Sequence, residues 1–286
     1  MTSMNIIDID ALIKKADELQ PLPVSVVKLA TMLSAGESDV DEITKVIRFD
    51  PALTVRLLRL ANSAFSGAAV AITTVNEAVS RLGTARILSL AVAAHTRPLM
   101  RIQVRAYGYQ EGELWRHSVI TMLVAELIPK VCKATVPAAS ATAALLHDIG
   151  KLAMAAFLDP DILDLLGRAQ NEGGLAPMEA ESQLLQIHHG ELGGLIARHW
   201  KLPEAIITGI TYHHNPEMGM DLVCDAVHLA NAVAKDVQAK LANKEVKITV
   251  NADAAQRLGF AMKDTEWLSK EAQASFVKVG AMFGAA

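Results

Sequence analysis

Residues 138–151 read AASATAALLHDIGK, from Ala138 to Lys151. Seven small residues lead into Leu145 and Leu146, and His147 and Asp148 then stand side by side before Gly150 and Lys151. Small side chains on a helix let a neighbouring helix come close, because the distance between packed helices is set by the side chains at their contact. An imidazole beside a carboxylate at so crowded a point is a ready pair of ligands for a divalent metal. Gly150 is expected to end the helix, with Lys151 as a cation just beyond it. The chain holds nine histidines, so the question becomes which of the others converge on this pair.

Composition narrows the answer. The 286 residues are 51% hydrophobic but only 4% aromatic, so the core must be built from Leu, Ile, Val, Ala and Met. That balance predicts an all-α protein of closely packed helices. The net charge is −4, which offers no basic field for phosphate backbones and argues against nucleic-acid binding. Cys132 and Cys224 form no CxxC pair and read as reduced, largely buried thiols. The opening MTSMNIIDIDALIKK is acidic before it is basic, unlike a secretory leader, and no apolar run approaches the roughly 18–20 residues of a membrane span. A cytoplasmic protein without membrane contact is the expectation.

Helical punctuation runs through the whole chain. An amphipathic helix is expected over 6–19, ended by Pro21 and Pro23, and another over Val24–Leu33 with Val27, Ala30 and Leu33 inward. Ser38 is placed to cap the next, with Ile43, Val46 and Ile47 on one face. Asp50-Pro51 opens a helix with Leu53, Leu57, Leu60 and Ala61 inward, followed by a loop at 63–67. Thr74 and Glu77 form a capping box, the helix stops at Gly83, and Thr84 is expected to cap the following one. The pair around Gly83 has the outline of a helix-turn-helix. Its second helix carries Ile87, Leu88, Leu90, Ala91 and Val92, however, and so reads as buried rather than groove-reading. The pattern breaks at Arg97–Glu111, which places a boundary near residue 105. An N-terminal helical bundle of residues 1–105 would then pack on a helical domain of residues 106–286. The second part should hold a helix from Gly112 to Val131 with His117 inward, then the Ala-rich helix, and another amphipathic helix at 159–170. A continuous helix from Pro177 to His199, one ending at His213-His214, and Asp221–Leu241 follow. A short extended piece at 244–250 precedes two or three terminal helices.

A single histidine on an apolar helix face is most often a core residue bonded to a carbonyl. Here His117, His147 with Asp148, His189, and His213-His214 lie on separate helices or helix ends, which is how helical proteins assemble metal sites. The mixture suits Fe, Mn, Ni, Zn or Co without choosing among them. His95, His188, His199 and His228 read as surface or structural.

The run of motifs resembles the HDOD domain family, which is related to the HD and HD-GYP metal-dependent phosphohydrolases. The likeness covers roughly residues 15–235. It rests on LPVSVVKLATML (22–33), DEITKVIRFDPALTVRLLRLANSAF (41–65), ITTVNEAVSRLGTARILSLAV (72–92) and LWRHS (114–118). It continues with ALLHDIGKLAM (144–154), HHGELGGLIARHWKLPEAIITGITYHH (188–214) and AVHLANAVA (226–234). The resemblance implies an HD-like helical domain behind the N-terminal bundle. It implies metal ligation by His117, His147 and Asp148, with Asn231 at the place where catalytic relatives carry aspartate. His189, His213 and His214 fall at positions suited to a second metal or a phosphate. Lys151 matches the lysine that polarises a scissile phosphate in active relatives, so Asp148 and Lys151 would be the catalytic pair in an active enzyme. The GYP segment is missing: NPEMGMD follows His214. With Asn231 in place of a carboxylate, the resemblance implies a bacterial signalling module with a retained but degenerate metal site. Such a module would act through a signalling partner or a small phosphorylated ligand, and its input would come from another chain. Metal-dependent phosphohydrolysis is the alternative reading.

Overall fold

Aliphatic periodicity becomes helix at nearly every place where a capping residue or proline allows a start. The computed structural model describes residues 12, 15, 19, 21–36, 39–62 and 72–283, except for the side chains of Leu60 and of 280–283. The expected helix over 6–19, Ser38 and the loop at 63–67 therefore lie outside the described residues, although Leu12 and Leu19 are buried. The first part comprises α1 (Val24–Ser34), α2 (Val40–Arg48), α3 (Pro51–Ala61), α4 (Val75–Leu82) and α5 (Thr84–Thr96). Two short 3-10 turns, Leu99–Arg101 and Arg105–Tyr107, lead into α6 (Glu113–Leu127). Then come α7 (Ala139–Leu146), α8 (Ile149–Phe157), α9 (Pro160–Asn171), α10 (Pro177–Leu185), α11 (His189–His199) and α12 (Glu204–Thr211). The chain finishes with α13 (Pro216–Gly219), α14 (Leu222–Leu241), α15 (Ala252–Leu258) and α16 (Thr265–Phe283). Among the described residues the only β pairing is an isolated bridge between Val104 and Tyr109. No described helix is long and apolar enough to cross a membrane.

Local chemistry explains most starts. The Asp50 carboxylate accepts from the Leu53 N–H at 2.9 Å and from the Ser25 hydroxyl at 2.5 Å, so one cap also ties α3 to α1. Thr74 and Glu77 form the reciprocal capping box. Several expectations need correcting. Asp39 caps α2, accepting from the Asp41 N–H at 2.9 Å. Thr84 is the first residue of α5 rather than its cap; Gly83 holds that place at φ 77°, a backbone conformation that glycine adopts without a Cβ penalty. On α1 the fully buried residues are Val26, Leu29, Ala30 and Met32, whereas Val27 and Leu33 are only partly covered. The expected helix from Gly112 to Val131 is α6 plus a 3-10 turn at Ile128–Lys130. Residues 244–250 form no strand.

The hydrophobic core is continuous through both parts of the chain. Helix α5 is buried along its length and packs on α7, and the Trp115 indole of α6 donates to the Ala93 carbonyl at 3.2 Å. At the centre α6, α7 and α14 pack on one another, with α8 against α11 and α12 against α7, α11 and α14. These helices carry the histidines.

The contact of α8 with α11 depends on glycine. Gly150 lies within α8, not at a helix end, and a Cβ built on it would collide with the His189 backbone carbonyl and lie 3.0 Å from the Gly193 nitrogen. Backbone cannot give way as a flexible side chain can. Alanine at position 150 gains about 1 kcal/mol of helix propensity but overpacks this crossing, which typically costs about 1–3 kcal/mol. Gly150→Ala is therefore expected to lower the urea-unfolding free energy despite its better propensity; a stabilised variant would show that the crossing is not tight.

Candidate metal centre

Helix α7 ends at Leu146 and α8 begins at Ile149. His147 between them keeps helical backbone angles, while Asp148 takes φ −99° and ψ 13°. This one-residue break turns two successive side chains inward. Asp148 holds the N-cap place of α8, yet its carboxylate makes no cap hydrogen bond. It faces a ring of imidazoles instead.

All the residues singled out in the sequence meet there. The Asp148 Oδ2 atom lies 3.4 Å from His147 Nε2, 3.8 Å from His117 Nε2 and 2.8 Å from Lys151 Nζ. Its Oδ1 atom lies 3.3 Å from His189 Nε2 and 3.8 Å from His213 Nε2. His214 Nε2 is 3.0 Å from His189 Nε2, and the Asn231 Oδ1 atom is 3.2 Å from His117 Nε2. Two three-donor groups result, His117/His147/Asp148 and His189/His213/His214, each with its ligand atoms within 4.8 Å of one another. Asp148 stands between them with one oxygen toward each. His117, His147, Asp148, His189 and His213 have no solvent exposure at all.

The far side of each imidazole fixes its tautomer. The Nδ1 atoms of His147 and His213 donate to the Ala144 and Ile210 carbonyls, each at 2.7 Å. Nδ1 of His189 donates to the Glu181 carboxylate at 2.7 Å. Nδ1 of His117 donates at 2.8 Å to Gln238 Oε1, whose amide nitrogen in turn donates to the Glu113 carbonyl at 3.5 Å. With the proton on Nδ1, each Nε2 is a lone pair. Four lone pairs thus face a carboxylate, an arrangement that protein groups alone leave unsatisfied. Indeed His147 Nε2, His213 Nε2 and Asp148 Oδ1 are buried and have no hydrogen-bond partner. Buried polar atoms without partners are rare, and an ion is one of the recognised reasons for them.

Electrostatics keeps His117, His213 and His214 neutral. Burial, then the neighbouring His147, pushes His117 down to about 3. Burial and His214 hold His213 well below the histidine range, and burial and His189 do the same for His214. Burial opposes the charge on Asp148, but His147 and Lys151 outweigh it and hold the carboxyl well below the usual range. Burial also opposes the charge on Lys151, and Asp148 more than compensates. Neutral imidazoles and an anionic carboxylate are the states that metal ligation needs, and this nitrogen–oxygen set fits a divalent transition ion.

Four residues of this region were not singled out in the sequence: Glu181, Gln238, Tyr107 and Tyr109. Glu181 is buried and also accepts from the His189 N–H at 2.7 Å and the Tyr107 hydroxyl at 2.5 Å. The expected continuous helix from Pro177 to His199 would have kept it apart from His189. Instead the chain breaks at Gln186, φ 59°, and restarts with His188 as N-cap, its Nδ1 accepting from the Gly190 N–H at 3.1 Å. The rings of Tyr107 and Tyr109 lie 5.4 and 5.9 Å from Lys151 Nζ, and Tyr109 stacks on His117. His228 is structural: its Nδ1 donates to the His213 carbonyl at 2.8 Å, and its Nε2 accepts from the Asn251 N–H at 3.0 Å. Cys132 and Cys224 are free thiols, the second fully buried.

An all-helical fold with clustered imidazoles around an HD pair defines the class. The chain belongs to the HDOD domain family, whose model matches residues 19–216. A curated protein of Treponema pallidum (strain Nichols), described only as uncharacterized, is 25% identical over 202 residues, or 70% of this chain. The chain spans 38% of the length of that relative. An HDOD domain protein of unknown function from Geobacter sulfurreducens is similar in structure, with 22% identity, a TM-score of 0.65 and coverage of 97% of this chain and 95% of that one. A candidate phosphohydrolase from Shewanella amazonensis SB2B has 24% identity, a TM-score of 0.63 and coverage of 93% and 98%. At these identities the two structures establish the fold.

The carboxylate behind His189 provides a direct test. Outer partners of this kind typically contribute 10- to 100-fold in metal affinity. Glu181→Gln is expected to weaken metal binding by about that factor in a chelator competition, while His199→Ala, at an exposed position, leaves it unchanged. Equal affinities in the Gln variant and the parent would remove Glu181 from the site.

Proposed function

We propose that this chain is a bacterial, cytoplasmic signalling module whose buried centre holds a divalent transition metal, Fe, Mn, Ni, Zn or Co, and there engages a small phosphate-bearing ligand. The observation that carries the reading is the convergence of unprotonated Nε2 atoms on both oxygens of Asp148, with His147 Nε2, His213 Nε2 and Asp148 Oδ1 lacking any hydrogen-bond partner. His117, His147, Asp148 and the Asn231 amide oxygen would hold an ion on one side, and His189, His213 and His214 would hold one on the other. A divalent metal there supplies Lewis-acid polarisation of a phosphoryl oxygen and activation of water. Among the described residues Asp148 is the only carboxylate facing the ligand atoms; with a divalent ion and Lys151 present, the centre is net positive. An anion such as phosphate restores the balance. Asn231, a neutral amide at 3.2 Å from His117, leaves that positive charge uncompensated. A partner protein would read the ligand-bound state.

A second reading, metal-dependent phosphoester hydrolysis, is favoured by one feature: a single carboxylate shared between two donor groups, with Lys151 at 2.8 Å from it. In that case Asp148 would orient the reacting groups and accept a proton, and Lys151 would contact the phosphate.

Elemental analysis of protein purified without tag or chelator tests the reading. The wild-type chain is expected to carry about one or two transition metals, one for each donor group, and His147→Ala to lose most of them. A wild-type chain that holds no metal even after reloading would overturn it. Asn231→Asp should tighten metal binding in either reading; only the hydrolytic one predicts that turnover of a generic phosphoester rises with it.

A further inference from the structure

The buried ligands sit beneath a rim of partly exposed groups. His214, Tyr107 and Tyr109 are half-buried, and Lys235 is exposed. We infer that Lys235 is the outer cation of an anion site, and that a phosphate group seats between it and Lys151 at the mouth of the metal centre. This rests on the reading of a phosphate-bearing ligand and names the residue that would receive it from solvent.

The placement of Lys235 follows from its helix. Residues 231, 235 and 238 of α14 fall on one stripe, spaced i, i+4 and i+7. Asn231 and Gln238, at the two ends of that stripe, both touch His117, through Nε2 at 3.2 Å and Nδ1 at 2.8 Å. Lys235 therefore emerges between the two groups that clamp a metal-site histidine. Among the described residues it makes no ion pair and no side-chain hydrogen bond. The acid beside it is already engaged: Asp236 pairs with Lys240 at 2.7 Å and accepts from Ser269 at 2.7 Å.

Electrostatics agrees with this placement. Although the side chain as a whole is exposed, its ammonium is partly desolvated, and that, followed by the charge of Lys151, lowers its affinity for a proton. The same charge is felt at His117 and His214. The charges of the two ammonium groups thus oppose each other, and Asp148, whose charge favours both, is already engaged by Lys151 at 2.8 Å. An anion between them removes the repulsion and gains a charge-assisted hydrogen bond to each.

The test is calorimetric titration of inorganic phosphate into the metal-loaded full chain. Lys235→Ala is expected to weaken phosphate binding by about tenfold or more with metal content unchanged. Lys235→Arg should restore most of the affinity, and Lys240→Ala should bind as the wild type does. If the wild type binds phosphate and Lys235→Ala binds it equally well, the inference fails while the proposed function stands. If the loaded wild type binds no phosphate, both fail. Loss of metal in Lys235→Ala would also overturn the inference, because Lys235 would then act on the metal site rather than on the anion.

Discussion

A carboxylate with no solvent exposure and one lysine as its hydrogen-bond donor is the constraint on which this molecule turns. Removing a carboxylate from water costs several kcal/mol even after relaxation, and the Lys151 ammonium at 2.8 Å compensates only one of its two oxygens. The other faces imidazole lone pairs. Such an arrangement persists only if the surrounding helices hold it in place, and they do so by close approach. The break between α7 and α8 points His147 and Asp148 inward, and the Gly150–Gly193 crossing brings the start of α11 up against them. Nδ1 hydrogen bonds to carbonyls, Gln238 and Glu181 then keep the rings of His117, His147, His189 and His213 from turning away.

The same constraint explains the distribution of polar groups. Buried polar residues are few in this aliphatic core, and many of them belong to one assembly: His117, His147, Asp148, Lys151, Glu181, His189, His213 and Asn231. Their partners come from α6, α10, α11 and α14 and from the end of α12, so the centre is where most of the C-terminal helices meet. The tyrosine-bearing stretch that links the two parts of the chain lies over it, with Tyr107 bonded to Glu181 and Tyr109 stacked on His117. The N-terminal helices reach the centre through α5, whose buried face packs on α7.

Much of this was legible in the sequence. Helices betray themselves through apolar spacing and capping residues, so Asp50-Pro51, Thr74–Glu77 and the long α14 could be read directly. The histidines stood on separate helices beside an HD pair, which is enough to suggest that they meet. The supporting residues were not legible, because their roles depend on breaks that periodicity smooths over. Histidine is an uncommon N-cap, so His188 gave no sign that a helix restarts there, and Glu181 was left a turn too far along an imagined helix. Gly150 resembles a helix terminator, but only the neighbouring backbone shows that it is a crossing point. Tyr107 and Tyr109 lie in a stretch without periodicity, and Gln238 is one glutamine on a long helix until its partner is known.

Anomalous X-ray diffraction from crystals of the full chain loaded with Mn²⁺ tests the central claim, that Asp148 is the shared anchor of the metal centre, most directly. At least one anomalous peak is expected within bonding distance of an Asp148 carboxylate oxygen, with Nε2 atoms of His117 and His147 or of His189 and His213 completing its shell. A loaded crystal whose anomalous peaks all lie away from Asp148, with the imidazoles still turned toward it, would contradict it.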